Sequence, residues 1–441
     1  MTRLRLGAAD TFRSLRIRNF RLFFIGQGIS QVGHWLTLIA QTLLVLDLTD
    51  SGFALGLLAA VQFGPVLLLG AWAGLVADRS DKRRLLMRVQ TFAMAQVFVL
   101  GALAFMDEPP LVAIYALAMA GGVATAFDNP ARRSFVVEMV PEDHVTNAVS
   151  LNSALMTGAR IVGPALAGLL VAAVGYGWTF WLDGLAFTAV LTGLRRMDPS
   201  QLRSAPAQPR GKGQIRAGLR YAWSETDLRV PLVMMALLGV LAFNYQTVFP
   251  LFATRDLGGN QLTYSLLMSV VSLGSLTGAL TAARRKHIHV RLVSVAALAF
   301  GTAMGLLALA PNQPVAFAVG VGMGFASITF MTTSTAIVQL RAKASMRGRV
   351  LALQAIVFLG SAPIGGPLVG AVSERFGARW GIALGAAAGL VAGVYGLANA
   401  RRATVTELAS AEREPVVPTR RPERDRQPAP SGRTLQPTAG R

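Results

Sequence analysis

Long apolar blocks separated by short polar breaks run from residue 20 to about residue 400, and this pattern restricts the fold more than any other feature. Each block has roughly 20 residues or more, the length that carries an α-helix across the hydrocarbon core of a bilayer. Lipid offers the backbone no water, so blocks of this kind form helices, whose hydrogen bonds are internal. With 53% of 441 residues hydrophobic and 15% charged, a soluble domain could not cover the apolar surface. The sequence therefore predicts an all-α membrane protein, with the lipid bilayer as its first partner.

Spans are expected at 20–46, 53–77, 85–106, 110–129, 147–173, 176–195, 230–253, 262–283, 290–310, 313–338, 347–373 and 379–400, twelve in all. The first is too long, and lacks the small-residue cleavage site, to be a removed signal peptide. Lysines and arginines alternate by loop. One side collects Arg3, Arg5, Arg13, Arg16 and Arg18, the Asp78–Arg88 loop, Arg132 and Arg133, the Arg195–Arg229 segment, the Arg284–Arg291 loop, Arg341–Arg349 and the tail. The other side has Arg255, Arg375 and Arg379. Basic residues accumulate on the cytoplasmic side, so both termini are expected there, as an even number of spans requires. This placement also accounts for the net charge of +20, so no nucleic-acid partner is expected.

Without cysteine there are no disulfides or thiolate metal sites, and the four histidines form no ligand pair with an acid on one helical face. No metal and no cofactor is expected. A phosphate loop of the Gly-x-x-x-x-Gly-Lys-Ser/Thr kind is also missing, so the chain is not expected to be a nucleotide hydrolase or any other enzyme.

The spans fall into two sets of six. Gly163-Pro164 is answered by Gly366-Pro367, and Gly70 and Gly74 by Gly274 and Gly278, at offsets of 203 and 204 residues. Two landmarks with nearly one offset indicate an internal repeat. The organisation read from this is a first half at 1–196, a cytoplasmic linker at 197–229, a second half at 230–400 and a disordered basic cytoplasmic tail at 401–441.

Between the second and third spans, Gly74-x-x-x-Asp78-Arg79-x-x-x-Arg83-Arg84 resembles the signature of the major facilitator superfamily. Asp81 departs from it, standing where that family usually has glycine. The resemblance implies twelve helices in two pseudo-symmetric halves that open alternately to either side. It also implies that this hairpin is a gate, Asp78 meeting the start of the eleventh helix in the outward-open state. The plainer reading is a positive-inside anchor. The matching loop of the second half has Ala282 in place of the aspartate, so any such lock is one-sided.

In the fifth span, Gly158, Arg160, Gly163, Pro164 and Gly168 resemble the motif of the family's antiporters, which implies export. Ser30-Gln31-Val32-Gly33, the run Ala126–Arg132, Val140-Pro141-Glu142 and Asn147-Ala148 are similar to the branch holding the enterobactin exporter and macrolide efflux proteins. That similarity implies a siderophore or lipophilic-drug cargo in a bacterial cytoplasmic membrane.

Polar residues are costly in lipid, so those inside spans face protein or water. Gln27, Gln31, His34 and Gln41 fall within an arc of about 80° on the first helix. They are expected to line a substrate cavity or to bond neighbouring helices. Asn244 and Gln246 in the seventh span and Thr332 and Thr335 in the tenth would complete that cavity, although threonines bonding their own backbone explain the latter pair equally well. Phe24, Trp35, Phe243 and Phe249 offer stacking surfaces. Asp128 and Arg160 are the buried charges expected to matter, Asp128 as a protonatable coupling acid or as a cap at the rim. Asp183 reads as a structural hydrogen-bonding group. The sequence as a whole predicts a monomeric exporter of small amphipathic organic molecules in exchange for protons. An importer or uncoupled facilitator of the same fold, and a non-transporting scaffold, remain as alternatives.

Overall fold

A computed structural model describes residues 11–203, 214–283, 285 and 288–411, and among them all regular structure is helical. Arg3, Arg5, Arg284, residues 204–213 of the expected linker and residues 412–441 of the expected tail lie outside the described residues. Eleven helical stretches are long and apolar enough to cross a membrane.

The first group comprises α1 (Arg18–Thr49), α2 (Gly52–Arg79), α3 (Lys82–Leu103), α4 (Leu111–Glu138) and the run Glu142–Arg196. A straight helix of the 55 residues in that run would be roughly 80 Å long, well over twice the hydrocarbon thickness. It is instead two helices, α5 (142–174) and α6 (176–196), meeting at Gly175, whose φ of 81° suits glycine. α1 lies along α5 and α6, α2 packs on α4, and α3 packs on α4 and α6.

The second group begins with α7 (Gln214–Ser224) and α8 (Thr226–Leu241). α9 (Tyr245–Leu251) follows and continues into a π-turn, Phe252–Asp256. Next come α10 (Gln261–Ala283), α11 (Val290–Ala308), α12 (Gln313–Arg341), α13 (Ala344–Leu359), α14 (Ala362–Phe376) and α15 (Ala378–Ala411). α12 is its centre and packs on α8, α10, α11 and α13. Residues 401–441 form a unit of their own, of which the end of α15 is the described part.

Three expected elements differ. The seventh span breaks between α8 and α9, where the Asn244 side chain donates to Val240 O (2.7 Å) in place of a helical backbone N–H. The eleventh breaks between α13 and α14. Pro363, at the start of α14, has no N–H to give Leu359 O, and its ring would crowd that carbonyl. The expected linker contains α7, an amphipathic helix on α13, with Ala222 buried and Tyr221 Oη accepting from Lys343 N (3.1 Å).

The groups meet along two seams, α2 with α14 and α5 with α10. On the first seam Gly52 and Gly56 face Gly366 and Gly370 backbone to backbone. A Cβ on Gly52 would stand 2.7 Å from Gly370 O, and one on Gly366 2.8 Å from Gly56 O. Small residues permit that approach, and in lipid close contact is what holds helices together. The seam lies toward the end where α1 turns into α2, here called the distal end. There Glu374 accepts from Ser51 Oγ (2.6 Å) and Phe53 N (2.9 Å), Arg255 pairs with Asp50 (2.8 Å), and Gln261 donates to Asp47 (2.9 Å) and to Tyr176 Oη (3.0 Å). Exposed pairs of this kind contribute up to about 1 kcal/mol each, so packing closes this end and the pairs set its register.

The native chain has no cysteine, which makes the seam testable by cross-linking. A Ser51→Cys, Glu374→Cys pair should oxidise readily to a disulfide. Adding Gly56→Val should slow that oxidation about ten-fold, the population shift that about 1.4 kcal/mol produces. An unchanged rate would show that the glycine contact does not close the distal end.

Candidate functional site

A cavity of about 940 Å³ lies inside the first group, walled by all six of its helices, with Gln246 reaching it from α9. Its lining extends to Arg133 and Val149, toward the basal end, opposite the closed seam. Helical spacing explains the wall on α1. Gln31, His34, Thr37, Leu38 and Gln41 recur every three or four residues and so share one face.

Hydrogen bonds fix most of the polar lining. Gln62 Nε2 donates to Gln41 Oε1 (3.0 Å), and Gln41 Nε2 donates to Ile114 O (3.2 Å), tying α1, α2 and α4. Gln31 Nε2 lies 2.7 Å from Met156 Sδ. Thr37 Oγ1 donates to Asp183 Oδ2 (2.6 Å), while Asp183 Oδ1 is buried with no hydrogen-bond partner among the described residues. Asp128 accepts from Gln90 Nε2 (2.6 Å) and from Arg132 Nε (2.7 Å), and Arg132 Nη2 closes a second bond to it. This buried pair sits at i, i+4 on α4, a spacing that brings the two groups together on one face.

His34 and Arg160 are the ionisable side chains that open onto the lumen from α1 and α5; both are exposed although protein surrounds them. Among the described residues Arg160 has no carboxylate within ion-pair distance. The apolar part of the wall includes Trp35, Phe63 and Phe187.

Several expected positions are placed differently. Gln27 shares the face of Gln31 but is buried (1% exposed) and does not line the cavity; its neighbour Gly26 packs against Ala189 and Val190 of α6. The Gln27 amide finds no hydrogen-bond partner among the described residues. Asn244 serves the α8–α9 break, beside Gly365. Thr332 and Thr335 donate to Ile328 O (2.8 Å) and Met331 O (2.9 Å) of their own helix and do not line the cavity. Gln31, His34, Gln41, Gln246, Asp128 and Arg160 do line it. So do Thr37, Gln62, Gln90, Gln96, Arg132 and Asp183, which were not expected to; all but Arg132 lie in expected spans, where the rule for costly polar residues applies to them too.

The hairpin is anchored to its own group. Asp81, the departure from the family signature, caps α3 by accepting from Arg84 N (3.0 Å). Arg83 donates to Leu194 O (2.6 Å) and Arg195 O (3.1 Å), where carbonyls at the end of α6 favour a cation. Lys82 pairs with Glu138 at 2.6 Å, both buried. Gly74 is buried, Asp78 is half-buried, and Arg79 and Arg84 are exposed. On α5, Gly163 faces Trp35, Pro164 is buried, and Gly168 meets Ser265 of α10 in the second seam. Gly158 faces open space.

Residues 9–426 match the model of a family described as transmembrane secretion effector. The staphyloferrin A transporter of Staphylococcus aureus is 24% identical over 361 residues, covering 81% of this chain and 90% of that protein. The multidrug efflux pump Tap of Mycobacterium tuberculosis is 27% identical over 365 residues, covering 79% and 85%. Among solved structures, a mutant of the peptide transporter POT superposes with a TM-score of 0.72 at 13% identity, covering 87% of this chain and 94% of that one.

The Asp128–Arg132 pair makes a stability prediction. Asp128→Asn alone leaves a buried guanidinium without its counter-charge and should cost about 3–5 kcal/mol. Combining it with Arg132→Gln should recover most of that loss. Thermal unfolding of the purified variants checks this, and additive losses would show that the pair is not coupled.

Proposed function

The chain belongs to the transmembrane secretion effector family of the major facilitator superfamily, and we propose from that premise that it exports small amphipathic organic molecules by alternating access. The observation that carries this reading is the cavity. It is large enough for a drug-sized molecule, mixed polar and apolar in lining, and set between the helices of the first group. On the proposed reading the two groups are the rocking halves, and α5 and α6 are separate spans, giving twelve. The basal end, with its arginines, is cytoplasmic by the positive-inside rule. The molecule as described is then inward-open, closed at the outer face by the α2–α14 seam and ready to take cargo from the cytoplasm.

The relatives handle a siderophore in one case and multiple drugs in the other, so the cargo class proposed is a siderophore-type or drug-type organic molecule. A monomer in the bacterial cytoplasmic membrane, working without a cofactor, completes the reading. Asp78 with Arg79, Arg83 and Arg84 would act as the inner gate when the halves close at the basal end.

Protons would drive the exchange, with Asp128 as coupling acid. A second assignment is favoured by the hydrogen bonds: Asp183 has an unpartnered oxygen, whereas Asp128 is held by Arg132 and Gln90. Asp183 can therefore take a proton on that oxygen without breaking a hydrogen bond.

Vesicle orientation tests the direction. Inside-out vesicles with an acidic interior should accumulate the exported compounds, and right-side-out vesicles should not. The reverse pattern means import, and transport indifferent to pH means a facilitator. Asp183→Asn should abolish pH-driven transport if it is the coupling acid, and Asp128→Asn should do so in the first assignment. Deleting residues 405–441 should leave efflux intact, while its loss would favour the scaffold.

A further inference from the structure

The charges that line the cavity do not cancel. Of its two acids, Asp128 is bound by Arg132 and Gln90. Asp183 is 1% exposed, bonded to Thr37 and packed so tightly on Gly33 that a Cβ there would collide with its carboxylate. Neither acid is available to Arg160, which opens onto the lumen with no carboxylate in reach among the described residues. A second guanidinium points the same way: Arg132, 7% exposed and lining the cavity, has its Nη1 buried with no hydrogen-bond partner among the described residues. Arg133 adds another cation at the basal mouth.

A guanidinium held inside a membrane protein is costly unless an anion or a wet cavity compensates it. Its planar fork of donors fits the two oxygens of a carboxylate or a similar oxyanion. We infer that Arg160 is the anchor of an anion-binding site, so that the molecule bound in this cavity carries a carboxylate or equivalent oxyanion on an amphipathic organic body. Trp35 and Phe187 supply apolar surface for that body. A cationic molecule would meet Arg160 and Arg133 with no free acid to receive it. The inference rests on the exporter reading only in treating the bound molecule as cargo; the binding site stands without it.

Three probes with a common pyrene body test this: 1-pyrenebutyrate, its methyl ester and 1-pyrenemethylammonium. Binding to the full-length protein in nanodiscs is read by energy transfer from tryptophan, Trp35 being in the wall. The acid should bind about ten-fold or more tightly than the ester, the scale of one charge-assisted hydrogen bond, and the ammonium should bind weakest. Arg160→Gln should bring the acid-to-ester ratio close to one, and Arg160→Lys should restore part of it. Equal binding of acid and ester by the native protein, no saturable binding of the acid, or an acid preference that survives Arg160→Gln would each overturn the inference. The native comparison needs no variant, so a misfolded substitution cannot rescue the idea. Acid-selective binding without energised efflux would sink the exporter reading and leave the anion site. Energised efflux without acid selectivity would do the opposite.

Discussion

Backbone contact between α2 and α14 is the constraint on which the rest of the structure depends. Lipid tails are as apolar as leucine, so burial of apolar surface gives two helices in a membrane little reason to associate. Gly52 and Gly56 against Gly366 and Gly370 remove the side chains between two helices and let dispersion and carbonyl dipoles act at short range. With the distal end closed in this way, the space within the first group extends toward the basal end. Gly168 against Ser265 places a second small-residue contact on the other flank. A seam of this kind can part cleanly. Its polar pairs, Asp50 with Arg255 and Glu374 with Ser51, are exposed enough for water to replace each partner at small cost.

The helical class and most of the span positions were legible in the sequence, because apolar block length is a global property that no single contact overrides. The breaks were less legible. Nothing in hydropathy distinguishes Asn244 serving its own helix from Asn244 facing a cavity, and the choice is made by one hydrogen bond to Val240 O. Thr332 and Thr335 show the same ambiguity, resolved toward their own backbone. The fourth span was expected to end at residue 129. α4 runs on to Glu138 with Pro130 inside it, so Arg132, read as a loop charge, is a wall residue.

The first helix shows where periodicity stops being informative. Spacing puts Gln27, Gln31, His34 and Gln41 on one face, and three of the four line the cavity. It says nothing about what lies opposite at each depth. Gln27 is buried, whereas Gln31, His34 and Gln41 line the cavity. Glycines such as Gly26 mark the tight levels, and their partners on another helix are invisible to a one-dimensional reading.

The arrangement of charges bears on how an occupied cavity would be sensed. Asp128 and Arg132 share one helix and travel together in any rigid-body motion, so their attraction is the same in every state and cannot drive a transition. Asp183 and Thr37 sit on two helices of one group, and rocking of the groups leaves that bond intact as well. Arg160 differs, because it shares the cavity wall with Gln246 of α9, across the boundary between the groups. A ligand shifts a conformational equilibrium only through contacts that differ between states. An anion bound in the cavity would meet a wall that Gln246 of the second group completes. An anion on Arg160 would therefore sit where contacts with the second group can differ between states.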